Sequence, residues 1–244
     1  MNCKIKILGH RGAKAEVLEN SKEGFIQAHR LIKEGIDGIE FDVQITSDNQ
    51  LVLAHDNTLA RVCRQQGMIE QLTADYCKKV FFVNTGHRML TLTEIVPYLY
   101  GYNHIELEIK THPRMDKRKM VNILYQNFCN SELFKLPIVL TSFDIQLLEL
   151  LKNHKGFREF SRGLLVLSTF KKADLVNSLL RIQAKSVGLK YTLITEEIVS
   201  LCHRYGIQVT AWTVNNLKVA NRLIDIGVDT IITDNPTLFL KEYG

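Results

Sequence analysis

Short apolar runs rich in Ile and Val alternate along the chain with longer segments whose apolar residues recur every three to four positions. The runs Lys4–Leu8, Gly38–Gln44, His104–Lys110, Pro137–Thr141, Gly163–Leu167, Ser186–Lys190, Gln208–Val214 and Thr230–Thr233 read as strands. Helices are expected between them over Ser21–Glu34, Leu92–Leu99, Lys117–Asn130, Ile145–Asn153, Lys172–Arg181, Glu196–Tyr205 and Leu217–Ile226. A short last helix is expected over Pro236–Tyr243. Capping chemistry supports these boundaries: Asn20 and Ser21 open the first helix and Gly35 closes it, Asp144 caps a later one, and Gly206 and Gly227 each precede a strand.

Eight strands alternating with helices predict parallel pairing through right-handed crossovers. That number favours closure into a (β/α)8 TIM barrel over an open doubly wound sheet. The open sheet is the alternative, although no glycine-rich dinucleotide loop follows the first strand. The stretch Leu51–His55 reads as a further short strand, and residues 56–86 lack a clean period. They are expected to form a small insertion between the second strand and the second helix, above the barrel, where βα loops build active sites.

At 244 residues the chain matches a single barrel domain, which typically has about 250. The five cysteines are odd in number and contain no CxxC pair, as expected of free thiols in a reducing, cytoplasmic setting. No apolar run has the length of a signal core or a membrane span, so no membrane insertion is expected. The net charge of +5 is carried by scattered Lys and Arg, apart from Arg114–Lys119 and Lys171–Lys172. Those groups read as solvated helix faces, which argues against a nucleic-acid partner and leaves a small anionic ligand. Oligomeric state is not legible.

The chemistry gathers near strand ends. His10 follows the first strand, where a barrel places catalytic groups, and can exchange a proton near neutral pH. Arg11 offers a planar fork for phosphate oxygens, and Gly12 allows a sharp turn. In Ile39-Glu40-Phe41-Asp42-Val43 the two carboxylates share one face of the strand. On a barrel strand that face is the interior, where paired carboxylates are costly unless they bind a cation; an exposed edge is the other reading.

His104 to Lys110 then places Glu106, Glu108 and Lys110 on one face of the neighbouring strand. Carboxylates from adjacent strands can converge on a hard divalent cation, Mg²⁺ or Ca²⁺, with Lys110 left for a phosphoryl oxygen. An internal salt-bridge cluster is the competing reading, and Glu106 can simply pair with Lys110. His55-Asp56 adds a second imidazole beside a carboxylate, and two histidines about a phosphodiester suit acid–base cleavage. The remaining histidines at 29, 87, 112, 154 and 203 have no partner at ligand spacing. Trp212, the single tryptophan, shares a strand face with Thr210 and fits either barrel packing or a wall of the ligand pocket.

The ordered set His10-Arg11-Gly12-Ala13, Glu19-Asn20-Ser21, Gly35 to Val43, Thr46-Ser47-Asp48, His55-Asp56, Glu108-Ile109-Lys110, Thr141 to Asp144, Ala211 to Asn215 and Gly227 to Pro236 resembles the glycerophosphodiester phosphodiesterase family. The likeness runs through nearly the whole chain. It implies a (β/α)8 barrel with an insertion matching residues 56–86. It also implies a catalytic histidine pair at His10 and His55, a phosphate-contacting Arg11, metal carboxylates Glu40, Asp42 and Glu108, a lysine at Lys110 and a pocket wall at Trp212. The chain departs from the family's usual pattern at Leu18, Ser21 and Glu106, the last standing where a neutral residue such as Asn is common.

The expected reaction is metal-dependent hydrolysis of a glycerophosphodiester to sn-glycerol 3-phosphate and an alcohol. One histidine would activate water or the glycerol 2-hydroxyl and the other would protonate the leaving oxygen, in an order the sequence leaves open. An alternative keeps the site and changes the substrate to a lysophospholipid, with Phe81 and Phe82 of the insertion supplying an apolar entrance. A barrel that only binds a phosphodiester is the non-enzymatic alternative.

Overall fold

The computed structural model describes residues 4–244. Eight parallel strands close on themselves: β1 (Lys6–His10), β2 (Gly38–Ile45), β4 (His104–Ile109), β5 (Ile138–Ser142), β6 (Ser161–Val166), β7 (Ser186–Lys190), β8 (Gln208–Trp212) and β9 (Thr230–Thr233). β1 pairs with both β2 and β9 and so seals the barrel. The remaining strand, β3 (Leu51–Leu53), runs antiparallel against β2 outside the closed ring.

The apolar run of the first strand breaks at Gly9, yet β1 continues through it to His10. Gly9 pairs with Ile39 on one side and Thr233 on the other, so neighbours rather than local composition set the strand's end. The expected strand at 4–8 is thereby displaced toward the catalytic face. The first helix spans Lys22–Arg30 and tightens into a 3-10 turn over Leu31–Glu34. It is capped by Ser21, whose hydroxyl accepts from the Gly24 amide at 3.1 Å. Asp144 caps the helix Ile145–Asn153 as its position predicts, accepting from the Gln146 and Leu147 amides.

The main core lies between strands and helices. The outward faces of β2 and β4 bury Ile39, Phe41, Val43, Ile105, Leu107 and Ile109, and Phe25 of the first helix meets Phe41 edge-on at 5.6 Å. Burying each such ring stabilises the fold by roughly 2–3 kcal/mol, and it fixes which residues of β2 are left facing the barrel axis.

Residues 56–86 form two short helices, Ala60–Cys63 and Ala74–Lys79, with a 3-10 turn over Ile69–Gln71 between them. They close over a separate apolar cluster that includes Leu59, Cys63, Ile69, Cys77, Val80 and Phe82. Elements of four to six residues are too short to repeat a helical period, which is why the segment showed none. Phe82 is 3% exposed within this cluster. Of the two rings expected at an apolar entrance, Phe82 therefore cannot line it, because the insertion needs it as its own core, whereas Phe81 is exposed. The four cysteines among the described residues are all free; Cys3 lies outside them. Among the described residues no helix is long and apolar enough to cross a membrane.

Candidate active site

Strand register assembles the site. His10 pairs with Glu40 across β1 and β2, Glu40 with Glu106 and Asp42 with Glu108 across β2 and β4, and Glu108 with Thr141 across β4 and β5. Paired residues of a parallel sheet point the same way, so these side chains form successive layers inside the barrel mouth. One cavity is lined by His10, Arg11, Glu40, His55, Glu106, Glu108 and Lys110 on its charged side. Its other side carries Thr141, Phe143, Leu165, Trp212, Thr213 and Ile232. Together with its open mouth it comprises about 460 Å³ of space between atoms.

Glu40, Asp42 and Glu108 are buried, and each contributes an oxygen to a group whose members all lie within 4.8 Å of one another. Lys110 Nζ stands 2.9 Å from Asp42 Oδ1 and 2.6 Å from Glu108 Oε1. Neither contact is aligned as a hydrogen bond, and both oxygens are otherwise buried without a partner. Three carboxylates thus face two cations, Lys110 and Arg11, with acceptor capacity to spare. Burial, then repulsion from Asp42, raises the Glu108 carboxyl to about 7. Glu40 rises for the same reasons, with Glu108 adding to the repulsion. Burial opposes ionisation of Asp42 as well, but Lys110 and Arg11 outweigh it and hold that carboxyl low. An all-oxygen set with this excess of negative charge fits one hard divalent cation.

Arg11 and Gly12 turn the chain in the left-handed region, at φ 50° and 94°. At Gly12 a side chain would also meet the backbone of Gly24 at 2.9 Å, so the turn requires glycine. Through this turn the Arg11 amide donates to Glu40 Oε2 at 3.1 Å, its Nη1 donates to Glu19 at 2.9 Å, and its Nε lies 3.3 Å from Asp42. Nη2 has no protein partner among the described residues. Asn20, also left-handed at φ 51°, donates its amide to Asp42 Oδ2 at 3.0 Å.

Both histidines are held by Nδ1 against a carboxylate: His10 by Asp234 at 2.5 Å and His55 by Asp56 at 2.8 Å. In each case Nε2 is left for the cavity. Burial pulls both imidazoles below their ordinary value, against the opposing attraction of Asp234 for His10 and of Asp42 for His55. Arg61, from the insertion, donates to Asp56 at 2.5 Å and to Glu19 at 2.6 and 2.9 Å. The insertion is thereby tied to the Arg11 and His55 sides at once. Gln44 of β2 reaches the His55 and Asp56 carbonyls at 3.1 and 2.7 Å and so anchors the backbone that carries His55.

All eight side chains singled out in the sequence meet here, with Asp42 beneath the cavity surface and the other seven lining it. Trp212 stands edge-on to Phe143 at 5.7 Å, and Lys110 lies 5.9 Å from the same ring. Glu106 departs from expectation. It lies across the barrel from Thr210, which donates to it at 3.2 Å, with His104 at 3.3 Å, and Lys110 is spent on Asp42 and Glu108 instead. Asp234, Gln44, Arg61 and Glu19 were not identified as site residues from the sequence. Asp234 is 224 positions from His10, and only closure of β9 onto β1 brings them together.

Residues 10–238 match the model of the Glycerophosphoryl diester phosphodiesterase family. The chain is 30% identical to a glycerophosphodiester phosphodiesterase of Caldanaerobacter subterraneus, over 98% of this chain and 97% of that protein. It is 27% identical to one of Bacillus altitudinis, over 97% of each. The fold is similar to that of an Oleispira antarctica phosphodiesterase solved with its product sn-glycerol-3-phosphate, with a TM-score of 0.87 at 21% identity over 98% of this chain and 96% of that one.

Proposed function

Since the chain belongs to the glycerophosphoryl diester phosphodiesterase family, we propose that it hydrolyses glycerophosphodiesters to sn-glycerol 3-phosphate and an alcohol, with His10 and His55 as acid–base pair. The observation that carries this reading is the shared geometry of the two imidazoles. Each is oriented through Nδ1 by a carboxylate and presents Nε2 to one cavity floored by Glu40, Asp42 and Glu108.

The carboxylate set would hold one Mg²⁺ or Ca²⁺. When bound, that ion supplies positive charge against the negative charge that develops on the phosphoryl oxygens. The unpaired Nη2 of Arg11 and the Lys110 ammonium orient those oxygens by charge-assisted hydrogen bonds. Burial suits the histidine that acts as base, since a lowered imidazole is neutral at pH 7 and ready to accept a proton on Nε2, while the carboxylate at Nδ1 of the other stabilises the imidazolium it must be to act as acid. One histidine takes a proton from the nucleophile and the other gives one to the leaving oxygen. The unpaired cysteines among the described residues support a cytoplasmic setting for this chemistry.

Turnover of glycerophosphoethanolamine, followed by release of sn-glycerol 3-phosphate with and without EDTA, tests the proposal. Activity should disappear in the chelator and return with Mg²⁺ or Ca²⁺. Activity that persists in EDTA would remove the cation from the reaction. His10→Ala and His55→Ala should each lose most turnover while unfolding as cooperatively as the wild type, and near-normal rates in either would rule out that histidine.

A further inference from the structure

Arg61 belongs to the insertion rather than to a barrel strand, yet it reaches the Arg11 side of the site. Leu59 and Cys63 lie four positions apart and are buried in the insertion's own apolar cluster. Arg61, two positions from each, is therefore turned to the opposite face of the short helix Ala60–Cys63. Its side chain is 49% exposed, but all three of its nitrogens are engaged. Nη1 and Nη2 donate to the two oxygens of Glu19 at 2.9 and 2.6 Å, and Nε donates to Asp56 at 2.5 Å.

Glu19 is shared between two arginines. Its Oε1 also accepts from Arg11 Nη1 at 2.9 Å, while Oε2 is taken by Arg61 alone. The Glu19 side chain is 7% exposed. Burial opposes its ionisation, and the bonds from Arg61 first, then the charge of Arg11, hold the carboxyl below its ordinary value. A buried carboxylate with a single guanidinium in reach closes a two-pronged pair with it, because the planar fork matches both oxygens. Without Arg61, that guanidinium is Arg11. Its Nη1 is already on Glu19 and its Nε lies against Asp42, so the second prong of such a pair is Nη2. Nη2 is the nitrogen of Arg11 that has no protein partner among the described residues, and Arg11 lines the cavity.

We propose that Arg61 is a positioning residue: by occupying Glu19 Oε2 it keeps Glu19 from pairing with Arg11 through both oxygens, and so leaves Arg11 Nη2 free for an oxyanion in the cavity. The insertion thereby contributes to ligand binding through a residue that touches no ligand. This rests on the assignment of Arg11 to phosphate made above, but it can be tested without turnover.

Arg61→Met keeps an unbranched stem and removes the guanidinium. Titration calorimetry in buffer containing Mg²⁺, with inorganic phosphate and separately with sn-glycerol 3-phosphate, reads the effect. Kd for both ligands should rise at least about tenfold, the worth of one charge-assisted hydrogen bond. In the double variant Arg61→Met/Glu19→Gln the neutral amide cannot close a charged pair on Arg11, and Kd should return to within about threefold of the wild type. A merely structural Arg61 gives the opposite order, because deleting both partners loosens the insertion at least as much as deleting one. Arg61 is half exposed and belongs to neither apolar cluster, so both variants should keep the fold, which cooperative urea unfolding checks. Unchanged Kd in Arg61→Met, or a double variant that binds no better than Arg61→Met, would overturn the proposal. The expected pattern in a protein that does not turn over glycerophosphoethanolamine would leave the positioning role standing and defeat the hydrolase reading. Turnover with a Kd unmoved by Arg61→Met would do the reverse.

Discussion

Asp234→Asn isolates the orientation of His10 from everything else in the site. The carboxylate accepts from His10 Nδ1 at 2.5 Å and from Asn215 at 2.7 Å, and its side chain is 17% exposed. These partners, His10 foremost, overcome the effect of burial and hold Asp234 down to about 2, against an ordinary 3.8. At about 1.4 kcal/mol per tenfold change this corresponds to at most ~2.5 kcal/mol, and partial solvent access reduces it to about 1–2 kcal/mol. An isosteric amide keeps the shape and removes the charge. The His10 imidazolium then loses its counter-charge, its tautomer is no longer enforced, and a charge-assisted hydrogen bond worth about 1.5–3 kcal/mol is forfeited. On glycerophosphoethanolamine kcat should fall roughly 10- to 100-fold, with KM changed little, and whichever limb of the pH profile His10 sets should move to lower pH. Stability supplies an independent reading. A carboxyl lowered on folding stabilises the protein above its unfolded value near 4, and that contribution is lost as pH falls toward 2. The wild type should therefore exceed Asp234→Asn in urea stability at pH 7, and the difference should shrink across that acid range. Unchanged kcat together with an unchanged pH profile would show that Asp234 does not position His10.

The carboxylate set predicts a cation effect with a definite pH dependence. Glu108, at about 7 in the folded chain against 4.5 ordinarily, holds a proton that the unfolded chain releases, so stability without a cation falls as pH rises between those values. Mg²⁺ or Ca²⁺ should accordingly raise Tm more at pH 8 than at pH 5, and a pH-independent shift would contradict the assignment. Asp42→Asn should abolish most of that Tm shift. Phe41→Ala, which removes a fully buried ring packed on Phe25, should cost about 3–5 kcal/mol in urea unfolding; a loss below 1 kcal/mol would mean that β2 is not fixed by its outward face.

Periodicity alone placed Glu40 with Asp42, and Glu108 with Lys110, on common faces, because a strand's side chains alternate whatever its surroundings. It also gave the alternation of strand and helix from which a closed barrel follows, since each run carries its own apolar pattern. The carboxylate triad was legible for that reason, and the histidines because each adjoins a strand end. Partner choice was not. Whether Lys110 pairs with Glu106 or with Asp42 and Glu108 depends on the stagger of β2 against β4. Whether Phe82 faces a ligand depends on an insertion too short to show its own period. The contact of Asp234 with His10, the bond from Thr210 to Glu106 and the seat of Trp212 over Gly188 all cross between strands distant in sequence. Local chemistry determined which groups enter the barrel; closure and register, set by the packing of the whole ring, decided which of them meet.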